Sequence, residues 1–432
     1  MGNKTTMEAS KGIRGEITIV PDKSISHRSV ILGALAEGKT EIDNYLMAQD
    51  CLSTIDCFRK MEVPIHVDAS KGRVHITGVG KRGLKEPGEI LDAGNSGTTM
   101  RLLLGVLAGQ EMHSILTGDK SLSNRPMKRV AEPLRMMGAT IEGRDQGNKA
   151  PISIRGRQLQ PISCKTPVAS AQIKSAIMLA ALNAQGTTEI TEPSPSRNHS
   201  ELMFDFFGAK VDTCGTKISV SGASTLKGSK LTVPGDISSA AFFMVAASIV
   251  PNSELIIKNV GVNKTRSGII QVLREMGGSV ELYNQREEGN EPVADILVKS
   301  ARLKGVEISG SLIPRLIDEI PIIAVAAAVA EGETVIRDAA ELRVKETDRL
   351  AALAENLTRL GITVEILADG LIIDGQEGFN LTAHLESYDD HRIAMAMAVA
   401  GLKNSKPTVI NNVDCINISF SDFFEQLASV NP

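Results

Sequence analysis

The sequence predicts an α/β protein of two domains, an inverted or inside-out α/β barrel made from six repeats of a βαβαββ-like unit, three per domain. Six segments, the first reading VPDKSISHRSVILGALAEGKTEI and the last SYDDHRIAMAMAVAGLKNSKPTVI, share one pattern: a Gly-, Ser- or Asp-rich turn, an Ala-rich apolar helix, then a β-branched strand. A second, amphipathic helix follows in most copies. In CLSTIDCFRKM, for example, Leu52, Ile55, Phe58 and Met61 recur at helical spacing. The first helix type is apolar nearly all round and belongs inside a domain; the second has a polar face and belongs outside. Helices within and strands without invert the common barrel, in which helices surround strands. Residues 21–233 hold repeats one to three, and residues 1–20 with 234–432 hold repeats four to six, with the site expected in the cleft between the two domains.

Taken in order, the inner helices open on groups that ask for an explanation. The first opens on DKSISHR, with Lys23, Ser24 and Arg28. Helix starts carry a positive dipole end, so cations there imply an anion that arrives from outside. The second opens on Asn95-Ser96-Gly97, the third on Ser170 and the fourth on Asp236-Ile237-Ser238. Asp318 precedes the fifth, and Asp389-Asp390 with Arg392 opens the sixth. Plain capping accounts for the acids and hydroxyls, and for Asp236 and Ser238 it stands beside a functional reading. It does not account for Lys23, Arg28, Arg349 or Arg392. Among the outer helices, Gly138, Gly208, Gly277 and Gly361 follow where a left-handed residue is favoured. Glu62 holds that place in the first repeat, at a cost of about 1 kcal/mol if its backbone is left-handed.

Bulk composition narrows the function classes. The 432 residues are 42% apolar and carry a formal net charge of −4, so any anion site is a local gathering of cations and nucleic acid is not an expected partner. The longest apolar run, Ile320 to Ala330, stops at Glu331-Gly332, short of the roughly 18 residues a membrane span needs. Cys51, Cys57, Cys164, Cys214 and Cys415 form no C-x-x-C pair, which fits free thiols in a reducing compartment, and a cytoplasmic location is expected. No metal-ligand spacing is found among His and Cys. Gly33 to Thr40 satisfies the phosphate-loop string G-x-x-x-x-G-K-[ST], yet it ends a helix and precedes a strand, the reverse of what that loop requires.

The ordered set DKSISHR, GNSGTTMR, NRPMKRV, VASAQIKSA, PGDISSAAFF, LIDEIP, RVKETDR and DDHRIAMA closely resembles the 5-enolpyruvylshikimate-3-phosphate synthase family over essentially the whole chain. SAQ and SRNH resemble its second sequence class. The resemblance implies transfer of the enolpyruvyl group of phosphoenolpyruvate to the 5-hydroxyl of shikimate 3-phosphate, with release of phosphate, on the way to chorismate and the aromatic amino acids. It implies no metal and no organic cofactor, only the two small-molecule substrates, and the enzyme is expected to act as a monomer. Both substrates carry a carboxylate and a phosphate monoester, so roughly five to six negative charges must be held together.

Carried over by resemblance, Lys23 serves both substrates and the catalytic step, while Ser24, Arg28, Ser170, Gln172, Arg197, Asp318 and Lys345 hold shikimate 3-phosphate. Lys23, Asn95, Gly97, Arg125, Gln172, Arg349 and Arg392 hold phosphoenolpyruvate. Asp318 is placed to accept the proton of the 5-hydroxyl, and Glu346 stands near the methylene carbon. His391 fits either an assisting hydrogen bond or a structural partnership with Asp390. Arg101, Lys128, Arg129 and Arg343 are assigned to helix-face solvation or interdomain pairing rather than to direct substrate contact. With Gly97 unobstructed, a phosphonate such as glyphosate is expected to compete. Two departures stand out. Relatives have a Gly between the positions of Pro21 and Asp22, which exposes the placement of Lys23 to change, and Ile418 stands where one class has a substrate-binding Lys. A transferase acting on a UDP-sugar shares the fold but uses a Cys in a Gly-rich loop, and no Cys here lies in one. A binding protein that has lost catalysis is opposed by retention of Asp318 and Glu346.

Overall fold

The computed structural model describes residues 3–431, and the chain divides into two compact units. The first is Pro21–Val233 with Glu287–Glu291; the second is the chain up to Val20, Pro234–Arg286 and everything from Pro292 onward. The repeat pattern had run 234–432 as one stretch, but Glu287–Glu291, at the tip of the hairpin joining strands Ser279–Glu288 and Glu291–Lys299, groups with the first unit. The reason is polar. Asn290 Nδ2 donates to Asp205 Oδ2 (3.0 Å), and Glu291 Oε1 lies 2.6 Å from His199 Nδ1, both partners being on the helix His199–Phe206.

Each unit is organised around three inner helices. In the first these are Lys23–Leu35, Gly97–Ala108 and Ala171–Ala181; in the second, Ile237–Ile249, Ile320–Ala328 and His391–Gly401. Their apolar residues are buried almost without exception, as their all-round apolar sequences require. Contact between the second and third is close: a Cβ on Gly105 would fall 2.2 Å from Ala176 O, so only glycine lets these helices approach. Amphipathic helices such as Gln49–Lys60 and Arg349–Arg359 bury one face only. They end as the sequence predicts, with Gly138, Gly208, Gly277 and Gly361 at positive φ. Glu62 takes the left-handed conformation too, at φ 62°, without glycine's exemption from the cost.

Six sheets cover the inner helices, three to a unit. In Leu91–Asp92, His113–Thr117, Lys149–Arg155 and Thr140–Gly143, a lead strand pairs parallel with the next and an antiparallel hairpin follows. The same order recurs in five of the six sheets. The lead strand of the first repeat is Lys230–Thr232, parallel to Glu37–Asp43, and that of the fourth is Arg14–Thr18, parallel to Glu254–Gly261. Each ring of repeats therefore closes on a strand distant in sequence, which ties the N-terminal segment to the second unit. The sixth sheet has three strands, Lys4–Met7 pairing antiparallel with Thr408–Asn411, itself parallel to Ala383–Glu386.

Candidate active site

In the first unit, Asp22 caps the opening helix by accepting from Ile25 N (2.8 Å), with φ −62° and ψ 120°. That backbone is ordinary extended chain, so no glycine is needed at Asp22 to start this helix. Lys23 Nζ lies 3.1 Å from Asp50 Oδ2 on the neighbouring helix Gln49–Lys60. One turn on, Arg28 is buried: Nε donates to Ser200 Oγ (2.8 Å), Nη2 to Ser175 Oγ (2.8 Å) and Nη1 to Ser24 O (3.0 Å). Burial pushes its guanidinium down to about 10; Asp22, Glu201 and Glu291 oppose this and Arg197 adds to it. Behind the cations, His27 Nδ1 meets Thr54 Oγ1 (2.7 Å), which meets Thr99 Oγ1 (2.7 Å), which donates to Ser96 Oγ (2.8 Å). This buried chain ties the first two inner helices together, because Ser96 caps the helix that starts at Gly97 by accepting from Thr99 N.

At that second helix mouth, Asn95 Nδ2 donates to Asp119 Oδ2 (2.6 Å) and Asn95 Oδ1 accepts from Arg125 Nη2 (3.2 Å). A Cβ on Gly97 would stand 2.9 Å from Arg101 Nη1 and 3.3 Å from Arg125 Nη1, so two guanidiniums converge on this glycine. Arg101 Nη1 also donates to Gln172 Oε1 (2.6 Å), whose Nε2 donates to Thr98 Oγ1 (3.0 Å). Asn95, Gly97, Arg125 and Gln172 thus form one cluster, and Arg101 belongs to it rather than to a solvated helix face. Its signal was available, since Arg101 lies four residues beyond Gly97 and shares its side of the helix. Ser170 sits at the N-cap of Ala171–Ala181 but makes no capping bond with its side chain. Arg197 is half-buried, near enough to Arg28 to affect its titration.

In the second unit, a buried guanidinium organises the predicted residues. Arg349 Nε lies 2.7 Å from Asp390 Oδ2, Nη2 lies 2.7 Å from Glu346 Oε2, and Nη1 stands 3.6 Å from Asp318 Oδ1. Among the described residues Nη1 makes no hydrogen bond, which leaves a buried donor beside Asp318. Burial alone would lower the pKa of Arg349, but Asp390, Glu346 and Asp318 outweigh it and raise the value. Lys345 Nζ stands 3.9 Å from Asp318 Oδ1, and desolvation holds its ammonium below the usual value despite that carboxylate. Arg392 Nη1 donates to Asp318 O (3.0 Å), and Asp390 caps Arg392's helix. Asp318, Lys345, Glu346, Arg349 and Arg392 are therefore gathered in one place.

The remaining assignments divide. Lys128 pairs with Glu132 on an exposed helix face, and Arg343 binds Asp348 Oδ2 (2.8 Å) and the carbonyl of Leu367 (2.7 Å). Asp236 caps its helix as expected, but it also takes an ion pair from the buried Arg266 (3.0 Å). Ile418 closes a 3₁₀ segment, Val413–Ile418. Asp50 and Ser200 went unread because an acid or hydroxyl inside an amphipathic helix looks like ordinary surface in sequence, and Ser175 because a lone small hydroxyl in the apolar helix Ala171–Ala181 looks like core filling. Among the described residues no group of three His, Cys, Asp or Glu side chains is placed to hold a metal, and no helix is long and apolar enough to cross a membrane.

The arrangement offers two kinds of chemistry: cations at helix mouths that suit anions, and carboxylates beside cations that suit proton transfer. Comparison with known proteins points the same way. The family model for EPSP synthase (3-phosphoshikimate 1-carboxyvinyltransferase) matches residues 7–427. The 3-phosphoshikimate 1-carboxyvinyltransferase of Geobacter metallireducens is 55% identical over 425 residues, covering 98% of each chain. That of Desulforamulus reducens is 54% identical over 421 residues, covering 97% of each. A solved EPSP synthase from Acinetobacter baumannii superposes with a TM-score of 0.89 at 45% identity, covering 99% of this chain and 98% of that one.

Proposed function

The chain belongs to the EPSP synthase (3-phosphoshikimate 1-carboxyvinyltransferase) family, and on that premise we propose how its two clusters perform the family's reaction. The enzyme transfers the enolpyruvyl group of phosphoenolpyruvate to the 5-hydroxyl of shikimate 3-phosphate and releases phosphate, in the biosynthesis of chorismate and the aromatic amino acids. Lys23, Ser24, Arg28, Ser170, Gln172, Arg197, Asp318 and Lys345 hold shikimate 3-phosphate. Asn95, Gly97, Arg125, Gln172, Arg349 and Arg392, with Lys23, hold phosphoenolpyruvate, and Arg101 joins them. Arg residues suit this task because a guanidinium grips a phosphate or carboxylate with two parallel hydrogen bonds.

The product keeps its carbon–carbon double bond, so addition must be followed by elimination. Asp318 takes the 5-hydroxyl proton as the oxygen attacks C2, while Glu346 delivers a proton to C3. Return of that C3 proton to Glu346 re-forms the double bond as the C2–O bond to phosphate breaks. One observation carries this reading: Asp318 and Glu346 both lie against the same buried guanidinium, at 3.6 and 2.7 Å from Arg349. Anions bound there change the setting of both proton-handling groups together. The enzyme is proposed to act as a cytoplasmic monomer; light scattering of the purified protein tests the monomer.

A single-turnover assay with both substrates, following phosphate release, tests the assignment. Asp318→Asn and Glu346→Gln are each expected to slow turnover on the order of 10²–10⁴-fold while substrate still binds. Turnover at the parental rate in either variant overturns that residue's role. Phosphate release with UDP-N-acetylglucosamine in place of shikimate 3-phosphate would point to the wall-synthesis transferase instead.

A further inference from the structure

Beside Asp318, the carboxylate of Glu319 is wholly buried, at 0% exposure. Glu319 occupies the N-cap position of Ile320–Ala328, yet its side chain makes no capping bond there. Pro321 in the first turn has no N–H, so the helix has one donor fewer to satisfy. Glu319 instead accepts a hydrogen bond from Ser238 Oγ at the mouth of Ile237–Ile249. Ser238 Oγ in turn accepts from Arg266 Nη2 (2.7 Å), which also donates to Asp236 Oδ1 (3.0 Å). Arg266 is itself 2% exposed. Placing these charges out of water is costly, and two apolar helices can pack without them.

We propose that Glu319, locked by Ser238 and Arg266, is a positioning residue that fixes the turn carrying Asp318 and so aims the Asp318 carboxylate at the reacting hydroxyl. Asp318 lies in the turn between the 3₁₀ segment Gly310–Arg315 and the helix Ile320–Ala328, whose first backbone bonds run from Ile322 N and Ile323 N to Glu319 O (3.0 and 2.9 Å). Arg349 and Lys345 stand 3.6 and 3.9 Å from the Asp318 carboxylate, at the range of charge contacts. Its main chain is held by Arg392 Nη1 at the carbonyl, and the neighbouring Glu319 N donates to Leu316 O (2.9 Å). Arg392 must also take a substrate anion, so it is a poor permanent clamp. The anchor through the Glu319 side chain lies in the interior, where substrate does not compete for it.

The inference rests on Asp318 being the proton acceptor, and the experiment separates the two ideas. Measure kcat, both KM values and the kcat–pH profile, well below the melting temperature, for Glu319→Ala, Glu319→Gln, Ser238→Ala and Asp318→Asn. Glu319→Ala is expected to lose on the order of 10–10² in kcat, the scale of an ångström-sized misplacement, with both KM values nearly unchanged and the acid limb of the profile displaced. Glu319→Gln, which keeps an acceptor for Ser238, is expected to restore most of the loss. If Glu319→Ala fails to fold, Ser238→Ala is expected to move kcat and the profile in the same direction by less. Parental kcat and an unmoved profile in the folded variant, with only a lower melting temperature, overturn the inference and leave a structural clamp. Should Asp318→Asn abolish turnover in that case, only the positioning role falls; if Asp318→Asn turns over normally, the role of Asp318 falls with it.

Discussion

Arg28 and Arg349 are both buried guanidiniums, yet they titrate in opposite directions: Arg28 is pushed down to about 10, and Arg349 is raised. Desolvation acts on both. The difference lies in what answers them. Arg28 is bonded to the hydroxyls of Ser175 and Ser200 and to a carbonyl, with carboxylates acting only from further off. Arg349 is gripped by Asp390 and Glu346 and faces Asp318. Neutral partners orient a guanidinium without cancelling its charge, so the first unit's cluster remains hungry for anions. Carboxylate partners cancel the charge locally, so in the second unit the cation and its acids form one balanced group.

The largest expected effect breaks the second cluster at its centre. Arg349→Ala leaves Asp390, Glu346 and Asp318 without their shared cation, and removing one partner of a buried pair costs about 3–5 kcal/mol. Urea unfolding should report that loss, and kcat/KM for phosphoenolpyruvate should separately fall by about 10²–10³-fold, the scale of losing one charge-stabilising donor. Arg28→Ala, which leaves only hydroxyls and a carbonyl behind, should lose far less stability and act chiefly on KM for shikimate 3-phosphate. Equal stability losses in the two variants would erase the contrast.

A smaller effect sharpens the first cluster. Gly97→Ala places a methyl group 2.9 Å from Arg101 Nη1 and 3.3 Å from Arg125 Nη1. The guanidiniums must shift, and the space that glycine leaves for an anion at the helix mouth is reduced. KM for phosphoenolpyruvate and the inhibition constant for glyphosate should both rise, by on the order of 10-fold, since about 1.4 kcal/mol of lost binding is that factor. KM for shikimate 3-phosphate should change much less. An unchanged KM for phosphoenolpyruvate would remove Gly97 from that pocket.

Much of this architecture is legible before folding because it is periodic. The Ala-rich inner helices announce themselves by lacking a polar face, and the cations at their mouths by having the wrong sign for a helix start. Closure of the rings is not legible, because Arg14–Thr18 and Lys230–Thr232 are short and find their partners far away in sequence. Neither is the support behind the clusters. Asp50 beneath Lys23, Ser200 beneath Arg28 and Glu319 beside Asp318 are ordinary residue types in ordinary places until tertiary packing buries them. Arg101 shows the middle case: its four-residue offset from Gly97 was visible, but the convergence with Gln172 required the third inner helix.

The last and smallest effect separates the two units by pH. His27 is buried in the first unit with Nδ1 on Thr54, and among the described residues its Nε2 has no hydrogen-bond partner. Burial lowers its pKa to about 3; Asp50 opposes this, and Lys23 and Arg28 add to it. In the unfolded chain the imidazole titrates near 6.5. Between those values the unfolded state binds a proton that the folded state refuses, so stability is full above pH 6.5 and is lost as pH falls toward 3. Each pH unit costs about 1.4 kcal/mol, so at pH 5 the first unit should be weaker by about 2 kcal/mol than at pH 7. Amide hydrogen exchange at the two pH values should show the helices Lys23–Leu35 and Gly97–Ala108 losing protection, with the second unit's inner helices less affected. His27→Asn, which cannot titrate, should flatten that slope; a slope that survives the substitution assigns the acid sensitivity to other groups.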